Sequence, residues 1–374
     1  MKKSLVDLFA GCGGLSLGLE QAGFSPVFVN EINPVFCETY IYNHNIPKEN
    51  YFIGDINELN SNLLNYKELF ENIDIVCGGP PCQGFSMANR QRIIDDPRNN
   101  LYKAYLNFLK EVKPKFFVME NVKGMSKKID EISEDIQVYL GDEYTFSYSL
   151  LNAKNFGVPQ NRERFFIIGN RIGVDVKEIF KDILNDKNNV GFTLKEAIGD
   201  LPKLKPNQIK NNTSIENKDC GFKEVDYEYK NTSFYKFINN NRQINKLYNH
   251  KNRYNNDRDT KIFELLPQGE NSLHSSISDI MPYKSRNHIF KDKYFKLKEN
   301  DVCKTITSHM KYDCNMYIHP NQARGLTPRE AARIQTFPDD YVFRGSQNNW
   351  YAQIGNAVPV KLAEVIGKHI IKHL

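Results

Sequence analysis

No stretch of this 374-residue chain approaches the run of apolar residues needed to cross a bilayer, so no membrane span is expected. No zinc-like Cys-x-x-Cys pair occurs, and the seven cysteines (12, 37, 77, 82, 220, 303 and 314) are odd in number and widely scattered. Neither a disulfide framework nor a metal knuckle is expected, and a reducing cytoplasm fits best. The dinucleotide fingerprint Gly-x-Gly-x-x-Gly is missing too, which counts against a nicotinamide dehydrogenase. No internal repeat is found. The opening Lys2-Lys3, with the apolar residues up to Cys12, faintly mimics a lipoprotein leader, but Asp7 interrupts a run already too short for one.

What is present reads as an ordinary globular composition, 40% hydrophobic and 25% charged. The length suits one large domain and a smaller one. The net charge of +5 is unevenly spread: residues 191–320 hold 22 Lys and Arg against 16 Asp and Glu, so the basic excess sits wholly there. Such an excess matters if that segment meets a polyanion.

The first half alternates strand and helix signals. Ser4–Phe9 reads as a strand, Gly11, Gly13 and Gly14 as a tight loop, and Leu15–Ala22 as a helix stopped by Gly23. A second strand at Val27–Val29 precedes Asn33-Pro34, a helix cap with proline at the first helical position. Further strands are expected near 73–77, 116–120 and 165–169, with a helix near 100–112. This order predicts an α/β fold with a doubly wound, mostly parallel sheet. From about 185 Asn, Lys and Tyr dominate and apolar periodicity weakens. Scattered residues such as Phe263, Leu266, Phe290 and Tyr294 still argue for a small, irregular folded unit. Thr327-Pro328-Arg329-Glu330 is a capping box, and Val360–Ile366 is amphipathic and helical.

Three strand ends suggest an adenosine-containing ligand without phosphates. Asp7–Gly14 follows a strand and opens a helix, where a ligand can approach the backbone closely. Glu31 ends the second strand, where an acid can bind ribose hydroxyls, and Asp55 follows a third, where it could accept from an adenine amine. Taken singly, each reads first as a tight structural turn or a solvated acid, and the three in order carry the ligand reading.

The chemical signals centre on Gly78-Gly79-Pro80-Pro81-Cys82-Gln83-Gly84-Phe85-Ser86. Prolines fix φ and glycines open unusual conformations, so this is a stiff loop holding a thiol at a strand's carboxyl end. Read locally, Cys82 is as well explained as a small buried hydrophobe. Glu120 ends an apolar strand, a place for either a paired core acid or a working one. In Gln160-Asn161-Arg162-Glu163-Arg164 extended alternation would put Arg162 and Arg164 on one face, where two guanidiniums could support a thiolate or bind a carbonyl. The plainer reading is a solvated basic edge.

These elements, continued by Leu326–Arg333 and Gln353-Ile354-Gly355-Asn356-Ala357-Val358-Pro359, closely resemble in kind and order the DNA cytosine-C5 methyltransferases of bacterial restriction–modification type. The resemblance covers roughly 1–170 and 300–372, and residues 190–300 match no module that can be named. It implies an S-adenosylmethionine-dependent, Rossmann-like catalytic domain over 1–185, a target-recognition domain over 186–325, and a return to the catalytic domain over 326–374. It implies Cys82 as nucleophile at C6 of a flipped-out cytosine, with Glu120 at N3 and the amine, and Arg164 with Arg162 at O2. The donor pocket would comprise Phe9, Ala10, Gly11, Gly13, Gly14, Leu15, Glu31, Ile32, Asp55, Ile56, Pro81, Asn356, Ala357 and Val358. Gln83, Ser86, Arg98 and Thr305 would touch DNA. The product would be S-adenosylhomocysteine, and no metal is implied. Duplex DNA is the implied partner, beside a cognate restriction endonuclease acting on the same site. The expected setting is a cytoplasmic, nucleoid-associated monomer. Two other readings stay open: a tRNA methyltransferase of the same fold, against which the long insert argues, and a non-catalytic DNA-binding relative, against which Cys82 and Glu120 argue.

Overall fold

The computed structural model describes residues 2–81, 101–186, 191–210, 215–282 and 292–374. They form two compact units: residues 1–156, 163–189 and 358–374 make up unit 1, and residues 157–162 and 190–357 make up unit 2.

Unit 1 is built on strands β1 (Lys3–Leu8), β2 (Phe24–Glu31), β3 (Tyr51–Ile53), β4 (Ile75–Gly78), β5 (Phe116–Val122), β6 (Thr145–Asn152) and β8 (Glu163–Asn170). They form one sheet in the order β3-β2-β1-β4-β5-β8-β6. The first five pair in parallel, and β8 runs antiparallel to both β5 and β6. The expected alternating pattern is therefore present, with an antiparallel edge at its end. The order reverses at β1 and β4, so their carboxyl ends open a switch-point crevice of the kind that holds ligands in such sheets.

The strands read as near-continuous apolar runs because helices cover both faces. Helices α1 (Gly14–Gln21), α2 (Pro34–Asn43), α3 (Ile56–Ser61), α4 (Leu101–Val112), α5 (Ile129–Leu140), α6 (Val176–Asn185) and the C-terminal α12 (Val360–Ile371) belong to this unit. A core including Val6, Leu8, Phe28, Val76, Tyr105, Phe117 and Ile167 fills one side of the sheet. The other side brings α12 against α1 at close range. A Cβ on Gly18 would lie 2.4 Å from the Ala363 Cβ and 2.4 Å from the Val360 carbonyl oxygen. The Asn33 side chain caps α2 by accepting from Val35 and Phe36, with Pro34 at the first position as the sequence predicts.

Unit 2 carries the short parallel pair β7 (Gln160–Asn161) and β11 (Cys303–Lys304) and the antiparallel pair β9 (Gly221–Asp226) and β10 (Lys246–Lys251). Its helices are α7 (Leu194–Ile198), α8 (Ser233–Asn239), α9 (Asp257–Leu265), α10 (Pro328–Ile334) and α11 (Gln347–Asn356). The predicted capping box opens α10. Its Glu330 also takes a two-pronged pair from buried Arg324, at 2.6 and 2.8 Å. Arg333 pairs with Asp339 at 2.8 Å, and Arg329 donates to the Tyr248, Pro338 and Tyr341 carbonyls. All three arginines are fully buried. This unit therefore adds buried ion pairs and carbonyl bonds to its apolar packing. Apolar packing remains extensive: one cluster joins Ile262, Phe263, Leu266, Ile277, Met281, Tyr294 and Ile318, and Phe192, Phe234, Leu247, Phe337 and Trp350 are also buried.

Candidate active site

At the carboxyl end of β1 the chain turns through Phe9, which adopts φ 57°, and Gly11 and Gly13, at φ 58° and 87°. The turn is closed by the Gly13 amide on the Ala10 carbonyl, 2.9 Å, and Gly13 then caps α1. Glycine suits position 13 because its φ of 87° lies in the left-handed region that other residues rarely adopt. A Cβ on Gly11 would meet nothing within 4 Å, so this face of the loop is open. Glu31 braces the loop from the end of β2. One carboxylate oxygen accepts from the Gly11 amide at 2.7 Å and the other from Asn33 at 2.8 Å. Burial pushes the Glu31 carboxyl up, and these amide bonds pull it partly back. Ile32 beside it is 65% exposed, an apolar face left open at a strand end.

Asp55 lies past β3 and caps α3, its Oδ1 accepting from the Asn57 amide at 2.7 Å. Ile56 behind it is buried. Asn30 ties β2 to this turn by donating to the Phe52 and Gly54 carbonyls. The loop, Glu31, Ile32 and Asp55 thus share one edge of unit 1, at the carboxyl ends of β1, β2 and β3. Acids, backbone amides and an exposed apolar side chain suit an adenosine group. Residues 9–14 contain no Lys or Arg to hold a phosphate.

A second cluster forms at the ends of β4, β5 and β8. The Arg164 Nε meets the Glu120 Oε1 at 2.9 Å, with both side chains nearly buried. A Cβ on Gly79 would lie 3.0 Å from the Glu120 Oε2, so the carboxylate sits against the loop that leads into Pro80-Pro81. The Asn121 side chain donates to the Pro80 carbonyl at 2.8 Å and fixes that loop to β5. Burial lowers the Arg164 guanidinium from its usual value, opposed by its pairing with Glu120. Pro81 is exposed; Cys82, Gln83, Ser86 and Arg98 lie outside the described residues. Six other cysteines are buried, and burial pushes the thiols of Cys12, Cys37, Cys77, Cys303 and Cys314 up, away from thiolate chemistry.

Arg162 and Arg164 take different partners. The strand breaks at Arg162, between β7 and β8, so alternation does not carry through. Arg162 is fully buried in unit 2, where it donates to the carbonyls of Ile306, Gly355 and Ala357 at 2.5, 3.1 and 2.9 Å. Gln160 accepts from the Ile306 amide and donates to Gln335. The Thr305 hydroxyl donates to the Asn161 carbonyl at 2.7 Å. Asn356 is exposed and Ala357 half-buried at the end of α11; Val358, buried, begins the last stretch of unit 1.

Residues 3–372 match the family described as C-5 cytosine-specific DNA methylase. The chain belongs to that family. Among its relatives, the type II methyltransferase M1.HphI of Haemophilus parahaemolyticus is 34% identical over 379 residues, spanning 100% of this chain and 87% of the relative. The type II methyltransferase M.MthTI of Methanothermobacter thermautotrophicus is 32% identical, spanning 100% of this chain and 98% of its own length. A solved prophage-encoded E. coli structure, described as a candidate DNA modification methyltransferase, superposes with a TM-score of 0.75 at 27% identity, covering 99% of each chain. The Dnmt2 methyltransferase of S. pombe, at 15% identity and a TM-score of 0.58, shares the fold.

The DNA methylase is thus an S-adenosylmethionine-dependent enzyme on a Rossmann-like sheet, acting on cytosine C5 of DNA. No helix among its described residues is long and apolar enough to cross a membrane. Sequence reasoning passed over two parts of the methylase's frame. Gln335 donates to the Ile354 and Ala357 carbonyls, and only its place in a buried helix end distinguishes it. Ser16 is fully buried beneath the glycine loop. A small polar residue on a helix face that is otherwise apolar was the available signal.

Proposed function

We propose that the methylase works through a covalent bond between Cys82 and C6 of a cytosine flipped out of a specific duplex site. The Glu120–Arg164 pair, held against the backbone that leads into Pro80-Pro81-Cys82, carries this reading. The burial of the other six cysteines supports it.

Thiolate addition at C6 moves an electron pair toward C5, which then bonds the incoming methyl. Glu120 holds the proton at N3 and accepts from the exocyclic amine, and Arg164 donates to O2. Loss of the C5 proton to a base then expels Cys82 as thiolate. Bound S-adenosylmethionine supplies an electrophilic methyl and leaves as S-adenosylhomocysteine. The loop from Phe9 to Leu15, Glu31, Ile32, Asp55, Ile56 and Pro81 hold it, with Asn356, Ala357 and Val358 completing the pocket. Arg162, engaged by three carbonyls, braces the 306 and 355–357 segments for this chemistry. No metal enters the scheme.

By function the catalytic part is 1–185 with 326–374, and 186–325 reads the DNA; this division differs from the compact units, which group 157–162 and 326–357 with unit 2. Gln83, Ser86, Arg98 and Thr305 contact the DNA near the flipped nucleotide. The enzyme acts as a cytoplasmic monomer at the nucleoid, protecting sites that a partner restriction endonuclease cuts; the type II names of its relatives support the endonuclease partner alone.

Labelled methyl transfer to duplex DNA, followed by bisulfite sequencing, identifies the site. A substrate carrying 5-fluorocytosine there has no proton to lose from C5, so the wild-type chain should remain covalently attached. Cys82→Ala should lose transfer by about 10⁴-fold or more while still binding DNA. Wild-type turnover or adduct formation by Cys82→Ala would reject the mechanism.

A further inference from the structure

We infer that Asp7 is a positioning residue for the methyl-donor loop: its buried carboxylate ties β1, α1, α2 and β4 together directly beneath the Phe9–Gly14 turn. Asp7 is 1% exposed and two residues before Phe9. Its Oδ2 accepts from the Ser16 hydroxyl at 2.5 Å, in the first turn of α1. Ser16 in turn accepts from the Tyr40 hydroxyl of α2 at 2.7 Å. Its Oδ1 accepts from the Cys77 thiol of β4 at 3.3 Å.

The hydrogens all run toward one carboxylate: from Tyr40 to Ser16 to Asp7, and from Cys77 to Asp7. A protonated Asp7 would have to donate to a group already donating to it, which breaks one arm of the chain. The arms fix the two ends of the turn, because β1 enters it and Ser16 sits in the first turn of the helix that leaves it. An aspartate is an expensive choice here. Burial pushes the carboxyl up to about 7, against the pull of Ser16 and Cys77. The titratable and polar groups around it are Ser16 on α1, Glu31 on β2, Tyr40 on α2, His44 just past α2, Cys77 on β4, Tyr105 on α4 and Cys12 in the turn itself. Tyr40 is held in turn by stacking on His44 at 4.0 Å. Purely structural packing would be served as well by an apolar residue; a charge at this point is explained by the loop it holds.

The inference rests on the donor pocket proposed above. The test is titration of S-adenosylhomocysteine into the full-length protein by calorimetry between about pH 6 and 8, alongside melting of the ligand-free protein. Protons leave Asp7 across this window. Wild-type affinity should therefore rise with pH, whereas Asp7→Asn, which cannot ionise, should bind about tenfold more weakly at pH 8 and lose that part of the rise. Ser16→Ala and Tyr40→Phe, which only remove hydroxyls, should each weaken binding, and adding Ser16→Ala to Asp7→Asn should cost little more. If Asp7→Asn does not fold, the two hydroxyl variants decide. Variants that melt lower yet bind the product with wild-type affinity and pH dependence would overturn the inference and leave the donor pocket standing. A wild-type chain that does not bind the product would sink the pocket and the inference together.

Discussion

The Glu120–Arg164 pair costs desolvation that a solvated acid and base would not, and a nearly buried ion pair is poor value for stability alone. In the proposed mechanism its placement against Gly79 gives it a different use. Glu120 can lend a proton to a ring nitrogen only while a neighbouring cation sets its geometry, and Arg164 can face a carbonyl oxygen only while its charge is partly balanced. Removing one partner should therefore hurt the reaction more than the fold. Arg164→Lys keeps the charge but loses the planar fork, and should lower kcat by about 10²-fold. Glu120→Gln keeps the shape and loses the proton, and should lower kcat by about 10³-fold with DNA affinity little changed. Single-turnover methylation beside equilibrium DNA binding separates the two quantities. Equal losses in both would mean that the pair holds the fold and not the cytosine.

At the scale of elements, the catalytic sheet depends on how closely the last helix approaches the first. Gly18 and Ala22 on one side meet Ala363 and Gly367 on the other, and a Cβ on Gly367 would lie 2.7 Å from that of Ala22. With no room at either contact, Gly18→Ala should force α12 (Val360–Ile371) away from α1 (Gly14–Gln21) and destabilise unit 1 by about 2–3 kcal/mol. Chemical denaturation reads this directly, and an unchanged midpoint would show that the helices can part freely. Much of this unit was legible in the sequence. The strands declare themselves as apolar runs, and Asn33-Pro34 marks a helix start by chemistry that works locally. The Arg162–Arg164 alternation could not show their partners, because Arg162 lies between the two-residue β7 and the eight-residue β8, and only long-range bonds from Gln160 and Arg162 reveal its place. Unit 2 was hardest to read for a physical reason. Much of its interior is Asn239, Asn249, His250, Arg324, Arg329 and Arg333, buried through specific hydrogen bonds. Polar residues so placed interrupt the apolar period that a sequence reading looks for.

For the whole molecule the decisive asymmetry is electrostatic. The basic excess of residues 191–320, 22 Lys and Arg against 16 Asp and Glu, is larger than the chain's net charge of +5, so the remainder is slightly acidic. If that segment reads DNA, duplex binding must release condensed counterions, whereas the proposed donor pocket at Glu31 and Asp55 would release none. The two ligands should therefore separate on one variable. With about six phosphates neutralised, DNA affinity should fall by about 10³-fold between 50 and 200 mM salt. Over the same range, affinity for S-adenosylhomocysteine should change by less than about twofold, since the ligand carries few charges and its binding displaces no condensed counterions. Fluorescence anisotropy with a labelled duplex measures the first, and calorimetry the second. A flat DNA curve would place recognition in neutral base contacts and remove the basic segment from the phosphate backbone. A steep curve that flattens when Lys and Arg between 191 and 320 are neutralised, with donor binding intact, would assign the polyanion to that segment and leave the chemistry to the sheet.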